Sequence, residues 1–310
     1  MEKTISFINS NGYRLFGILH VPDKPCLPST GVICLNTGLQ YRVIWHRLNI
    51  KMARTLCALG YYVLRFDTHG IGDSEGDIEI DSINTEDFHD AIQVGLFVPD
   101  TLSAIDFFFK EVRLENLYLI GPCGGALTAM ITASKSKKVS GLIYMAGPVT
   151  ITSSELTIEM HPRNAQKAIK IRIRKIWNPT ALFRLFTGRS EISVITKALK
   201  VSIQSLLNRR SLVVQDDADK AEKGGLFFNR VFLDSFNEFV SRGGEILFLM
   251  PESDRSSWGF RELFEKKFLV PGNPYEKRYT ILYVPKANHI YALEESQKYV
   301  LDQIVVWLRR

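Results

Sequence analysis

The chain has 310 residues, 45% hydrophobic and 23% charged, a balance that excludes disordered, collagen-like and fibrous classes and suits a globular protein with a sizeable core. Four cysteines, Cys26, Cys34, Cys57 and Cys123, are too few and too scattered for a disulfide scaffold, and no pair has metal-site spacing. The net charge of +6 is uneven: residues 161–210 hold 12 lysines and arginines against one acid, Glu191, so this segment carries +11 and the rest of the chain −5.

The first twenty residues lack a basic stretch leading into an apolar one, so no secretory signal is expected and a cytoplasmic location is. Residues 13–20 read as an early strand and 31–35 as a buried one, followed by the loop Asn36-Thr37-Gly38-Leu39-Gln40. Leu48, Met52, Leu56 and Leu59 recur at helical spacing, which predicts a helix over 48–59. A strand at 61–66 runs into the glycine-rich loop 67–76, and a helix follows over 101–110. The uncharged run 117–134 approaches the length of a membrane span, but Gly121-Pro122-Cys123-Gly124-Gly125 in its middle fits a sharp turn. It divides into a strand at 117–120 and a helix at 126–134, with another strand at 141–145. From Ala146 the alternation stops, and about 150–225 looks helical and basic. Strands resume at 245–250 and 279–284, and a helix over 294–308 closes the chain. The expected architecture is an α/β core of residues 1–149 and 226–310, interrupted by a helical basic cap at 150–225.

The sharpest chemical signal is the run 121–125, set between an apolar strand and a helix of small residues. It has the G-x-nucleophile-x-G form of a nucleophile elbow, with cysteine at the reacting position. A glycine-rich turn around a packed cysteine has the same composition; the place between strand and helix favours the elbow. Flanking glycines let strand and helix backbones approach closely, the Gly124 N–H is aimed to hold an oxyanion, and a helix N-terminus favours a thiolate. An acid and then a histidine should follow in chain order. Asp254 comes after the strand at 245–250, with Glu252 as a close competitor, and His289 comes after the strand at 279–284. His289 would shuttle the thiol proton, and Asp254 would fix its tautomer. His46 stands near the oxyanion loop, His69 suits a structural turn, and His20, His89 and His161 have no evident partner. No H-E-x-x-H, EF-hand or P-loop pattern is present, so neither a metal nor a nucleotide cofactor is expected.

These residues resemble the α/β-hydrolase superfamily over nearly the full length of the chain. The narrower resemblance is to exosortase-associated hydrolases, a bacterial branch related to serine-aminopeptidase-like and lysophospholipase-like hydrolases. It is carried by Thr37-Gly38-Leu39-Gln40-Tyr41-Arg42, His46-Arg47, Arg65-Phe66-Asp67, the loop 70–76 and the cysteine elbow. The resemblance implies an α/β-hydrolase fold and a mostly parallel central sheet with flanking helices and an inserted cap. It also implies a second backbone oxyanion donor at Leu39, with Gln40 beside it as an alternative donor or substrate contact. The superfamily turn D-x-R-G-x-G-x-S has His69 here in place of its arginine.

The expected reaction is hydrolysis of an ester or thioester through an acyl-enzyme on Cys123, with acyl transfer or cyclisation by the same intermediate as an alternative. A non-catalytic binding protein on the same scaffold is the other class. Apolar cap residues, Trp177 and Phe183 among them, are expected to line an acyl-binding wall. The basic segment suggests an acidic acyl-carrier protein or an anionic membrane surface as partner; it lacks a recognition motif for nucleic acid.

Overall fold

The computed structural model describes residues 1–78, 85–151 and 227–310, so the expected cap, with Trp177 and Phe183, lies outside the described residues except for its first two, Thr150 and Ile151, which form a strand rather than helix. Eight strands form one sheet: β1 (Glu2–Ile8), β2 (Arg14–His20), β3 (Thr30–Cys34), β4 (Tyr62–Phe66), β5 (Asn116–Pro122), β6 (Gly141–Met145), β9 (Glu245–Pro251) and β10 (Tyr279–Val284). Between them in sequence stand two short strands, β7 (Thr150–Ile151) and β8 (Phe227–Phe228), which pair with each other antiparallel. The chain therefore leaves the core at residue 151 and re-enters it at 227 side by side.

The spatial order is β1-β2-β4-β3-β5-β6-β9-β10. β1, β2 and β4 pair antiparallel, and every pairing from β4 onward is parallel. Strands β3, β5, β6 and β9 are almost wholly buried, which is why they read as continuous apolar runs rather than alternating ones. β1 escapes the sequence reading because it is an edge strand and most of its residues are exposed.

Helices cover the sheet: α1 (Leu48–Ala58), α2 (Thr85–Gln93), α3 (Val98–Glu111), α4 (Gly124–Lys135), α5 (Arg230–Ser241), α6 (Arg255–Gly259) and α7 (Glu294–Leu308). α6 runs on through a π-helical stretch, Phe260–Glu265, and a last turn at Lys266–Phe268. α3 starts earlier than its spacing predicts because Pro99 takes a first-turn position, where its missing N–H costs nothing. α2 and α5 are elements the sequence reading lacks. α5 is amphipathic, and its Phe232, Phe236 and Phe239 enter the core beside Tyr144 and Phe248. Small residues along α4 let that helix lie buried on the sheet from Gly124 to Ala133. Its C-terminal carbonyls are capped from a distance, since Arg242 donates to Ala133, Ser134 and Ser136.

Parallel pairing sends the loops after β3, β5, β9 and β10 to one edge of the sheet. After β3 the chain moves outward to β4 and then back across to β5. The strand order thus reverses beside β3 and β5, the kind of point where open α/β sheets leave a crevice for ligands.

Candidate active site

β5 ends at Pro122 and α4 begins at Gly124, which leaves Cys123 alone to make the turn, at φ 51° and ψ −122°. That conformation is unfavourable for a residue with a side chain, by about 1–3 kcal/mol. It persists because the surroundings fix it: the Cys123 N–H donates to the Met145 carbonyl at 2.9 Å, and its own carbonyl accepts from Ala126 N–H at 3.0 Å. A methyl group on Gly121 would come to 2.1 Å from the Gly125 carbonyl oxygen, and one on Gly125 to 2.0 Å from that of Asn36. Both positions therefore exclude any larger residue. A methyl group on Gly124 would stand 2.6 Å from the Thr37 carbonyl oxygen, so the loop after β3 rests directly on the elbow. Cys123 is partly exposed at this mouth, whereas Cys34 is buried and its thiol is pushed up to about 12.

The loop after β3 is braced internally, with Gly38 N–H donating to Asn36 Oδ1 at 2.9 Å. Leu39 and Gln40 come next, Leu39 exposed and Gln40 half-buried. Ile92 of α2 packs where side chains on Gly38 and Gly124 would otherwise stand, so it fills the space between loop and elbow. Sequence reading misses Ile92 because α2 itself goes unrecognised.

His289 lies in the loop after β10, and its Nδ1 is 2.9 Å from Asp254 Oδ2. The Cys123 thiol is close enough to the ring to act on its charge. Burial works to lower the His289 pKa, but the hydrogen bond with Asp254 and the nearby Cys123 thiol outweigh it and hold the group at about 10. Burial likewise works to raise Asp254, and its bonds to His289 and Ser256 bring it below the usual carboxylate range. Asp254 caps α6 through the Ser256 N–H, and the Ser256 hydroxyl donates to the same carboxylate oxygen. Glu252 is engaged elsewhere, its carboxylate accepting the Lys286 N–H at 3.1 Å. Two further bonds, Glu252 N–H to Val284 O and Ser253 N–H to Ala287 O, tie the loops after β9 and β10 together. Tyr291 completes the brace by donating its hydroxyl to the Leu249 carbonyl at 2.8 Å.

The position where the superfamily has arginine is filled by a buried His69, whose Nδ1 is 2.8 Å from Asp100 Oδ2. Asp100 also accepts from Asn9 and from the His69 backbone, which pins the loop after β4 to α3. The guanidinium near Asp67 comes instead from Arg42 of the loop after β3. It bridges Asp67 and Asp73, and the Arg42 N–H donates to Asp67 as well. Three residues on, the Trp45 ring stands edge-on to His289 with centroids 5.6 Å apart. His46 is exposed to solvent.

Among the described residues, no cluster of side chains is arranged to hold a metal ion, and no helix is long and apolar enough to cross a membrane. No protein-family model matches the chain, and no curated protein matches it. Solved structures do. The α/β hydrolase GrgF from Penicillium sp. sh18 superposes with a TM-score of 0.56 at 14% identity, covering 100% of this chain and 98% of that one. An esterase from Pyrococcus furiosus gives 0.56 at 14% identity over 100% and 91%. XC6422 from Xanthomonas campestris, a serine hydrolase described as lidless, gives 0.54 at 14% identity over 100% and 94%. At such identities the likeness establishes the fold, and that fold is the α/β-hydrolase fold.

Proposed function

We propose that this α/β-hydrolase-fold chain is an enzyme that cleaves carboxylic esters or thioesters through a covalent acyl-enzyme on Cys123. One observation carries the reading: a single imidazole, His289, hydrogen-bonds Asp254 and stands within electrostatic reach of the Cys123 thiol, which sits on a strained strand-to-helix turn. The esterase and hydrolase names of the structural neighbours favour the same class.

In this mechanism His289 takes the thiol proton, and the thiolate sulfur attacks the substrate carbonyl carbon. The carbonyl electron pair moves onto oxygen, where the N–H groups of Gly124 and Leu39 receive it. When that pair returns, the bond to the leaving group breaks and His289 protonates the departing oxygen or sulfur. Water then attacks the acyl-sulfur carbon while His289 removes its proton. Collapse of this second intermediate releases the carboxylic acid, and the proton returns to the thiolate. Asp254 holds the imidazole by Nδ1 throughout, leaving the other ring nitrogen for the transfers. We place the protein in the cytoplasm, where a thiol nucleophile stays reduced.

Mass spectrometry after exposure to an activated ester or a simple thioester tests the reading. An acyl adduct on Cys123 that disappears with time in water is the expected result, and Cys123→Ala should show none. A protein whose Cys123 stays unmodified while it retains the ester unhydrolysed is a binding scaffold, and the enzymatic reading then fails. An adduct that discharges only onto an added alcohol or amine identifies a transferase.

A further inference from the structure

The turn that carries Trp45 is the most strained stretch among the described residues. Ile44, His46 and Arg47 all have left-handed backbones, at φ 52°, 49° and 59°. None is glycine, and a β-branched isoleucine resists this region more than most residues. Three such residues within four positions persist only where the surroundings over-determine them. Here both ends are anchored. Ile44 and Leu48 are buried in the core, and Arg42 is locked onto Asp67. His46 and Arg47 are exposed, so burial of their own side chains does not offset the strain. What the turn does achieve is to set the indole of Trp45 against the His289 ring, with the planes at 69°.

We propose that Trp45 is a positioning residue for His289: the edge-to-face contact fixes the imidazole plane so that Nδ1 stays on Asp254 and the other nitrogen is turned toward Cys123. The proposal rests on the Cys–His reading above. The imidazole needs such a wall, because the His289 side chain remains 34% exposed and its ring torsion is intrinsically broad. An aromatic pair of this geometry favours one ring orientation over the others. The other titratable groups near the ring are Asp254 and Cys123, which face it directly. Tyr291 lies beside Asp254 and Tyr144 beside Cys123; both are buried and held neutral well above the usual tyrosine range.

The test compares wild type, Trp45→Leu, Trp45→Phe and His289→Ala. Cys123 alkylation by iodoacetamide is followed against pH by peptide mass spectrometry, the His289 ring titration by NMR, and folding by thermal melting. Trp45→Leu should slow Cys123 alkylation at neutral pH about tenfold and move the His289 titration down by about one unit, while melting cooperatively. Trp45→Phe should move both in the same direction by less. Wild-type profiles in both variants overturn the proposal. Should Trp45→Leu fail to fold, the Trp45→Phe profile decides in the same sense. If His289→Ala slows alkylation but neither Trp45 variant does, the Cys–His pair stands and the role of Trp45 falls. If His289→Ala leaves alkylation unchanged, both fall together.

Discussion

Cys123 combines partial exposure, a left-handed backbone and the nearby His289 imidazole, a set that Cys26, Cys34 and Cys57 lack. In a competitive alkylation of the native protein, Cys123 should therefore react first, and buried Cys34 last. Equal rates at all four sites would remove it as nucleophile. The histidine adds a pH signature. Burial alone would lower the His289 pKa, yet Asp254 and Cys123 hold it at about 10 against an ordinary 6.5. A group raised on folding contributes stability that is fully present below its unfolded value and is lost as pH rises through its folded one. Asp254 is lowered, so its contribution is present above 3.8 and fades as pH falls through its depressed value. Thermal melts should accordingly show the melting temperature falling as pH climbs from 6.5 toward about 10. His289→Gln should remove that part of the slope. An identical slope in the variant would show that the pair is not coupled to folding.

At the scale of elements, the site depends on loops clamped to one another. Asp67 is fully buried, and Arg42 from a different loop hydrogen-bonds it. Arg42→Met leaves that carboxylate with only the backbone N–H donors of positions 42 and 73 and no countercharge, which should cost about 3 kcal/mol in urea denaturation. Catalysis should drop with it, because the same loop carries Leu39 and Trp45. A loss well under 1 kcal/mol would mean that solvent reaches Asp67 and the clamp is idle. The elbow offers a second check. A Cβ on Gly125 would meet the Asn36 carbonyl oxygen at 2.0 Å, so Gly125→Ala should destabilise by about 1–3 kcal/mol and push the loop after β3 off the elbow. Gly12 has nothing within 4 Å of an added Cβ, so alanine there meets no clash, only the disfavoured backbone, and serves as the comparison.

At the scale of the whole molecule, charge is concentrated in residues 161–210, which carry +11 on a chain whose remainder is −5. A field of that sign would raise encounter rates with an acidic acyl-carrier protein or an anionic membrane surface, and salt would weaken it. Reversing three charges among Arg163, Lys167, Lys170, Arg172, Arg174 and Lys175 should then lower turnover of a carrier-bound thioester at low salt and spare a small free thioester. Equal effects on both substrates would show that the segment is not a docking surface.

The succession of strands and helices along the chain was legible because strands and helices leave different apolar patterns, and 141–145, 279–284 and 294–308 appear in the structure with those bounds. The strand-to-helix turn at Cys123 was legible too, since its geometry is local and consecutive residues carry it. So was the choice of loops for the acid and the histidine. What the sequence left open was whatever depends on partners far away along the chain. The carboxylate that reaches His289 is Asp254, because Glu252 is taken up by the Lys286 backbone across the loop. Arg42 rather than a residue at position 69 reaches Asp67, across 25 positions of sequence. His20, without a partner in sequence, accepts a hydrogen bond from Arg65 on the neighbouring strand. Trp45 meets His289 only because parallel pairing brings the loops after β3 and β10 to the same edge of the sheet. Periodicity reports which face of an element is buried; which side chains then meet there is decided by strand order and by the conformations of the loops, and neither is written in a local pattern.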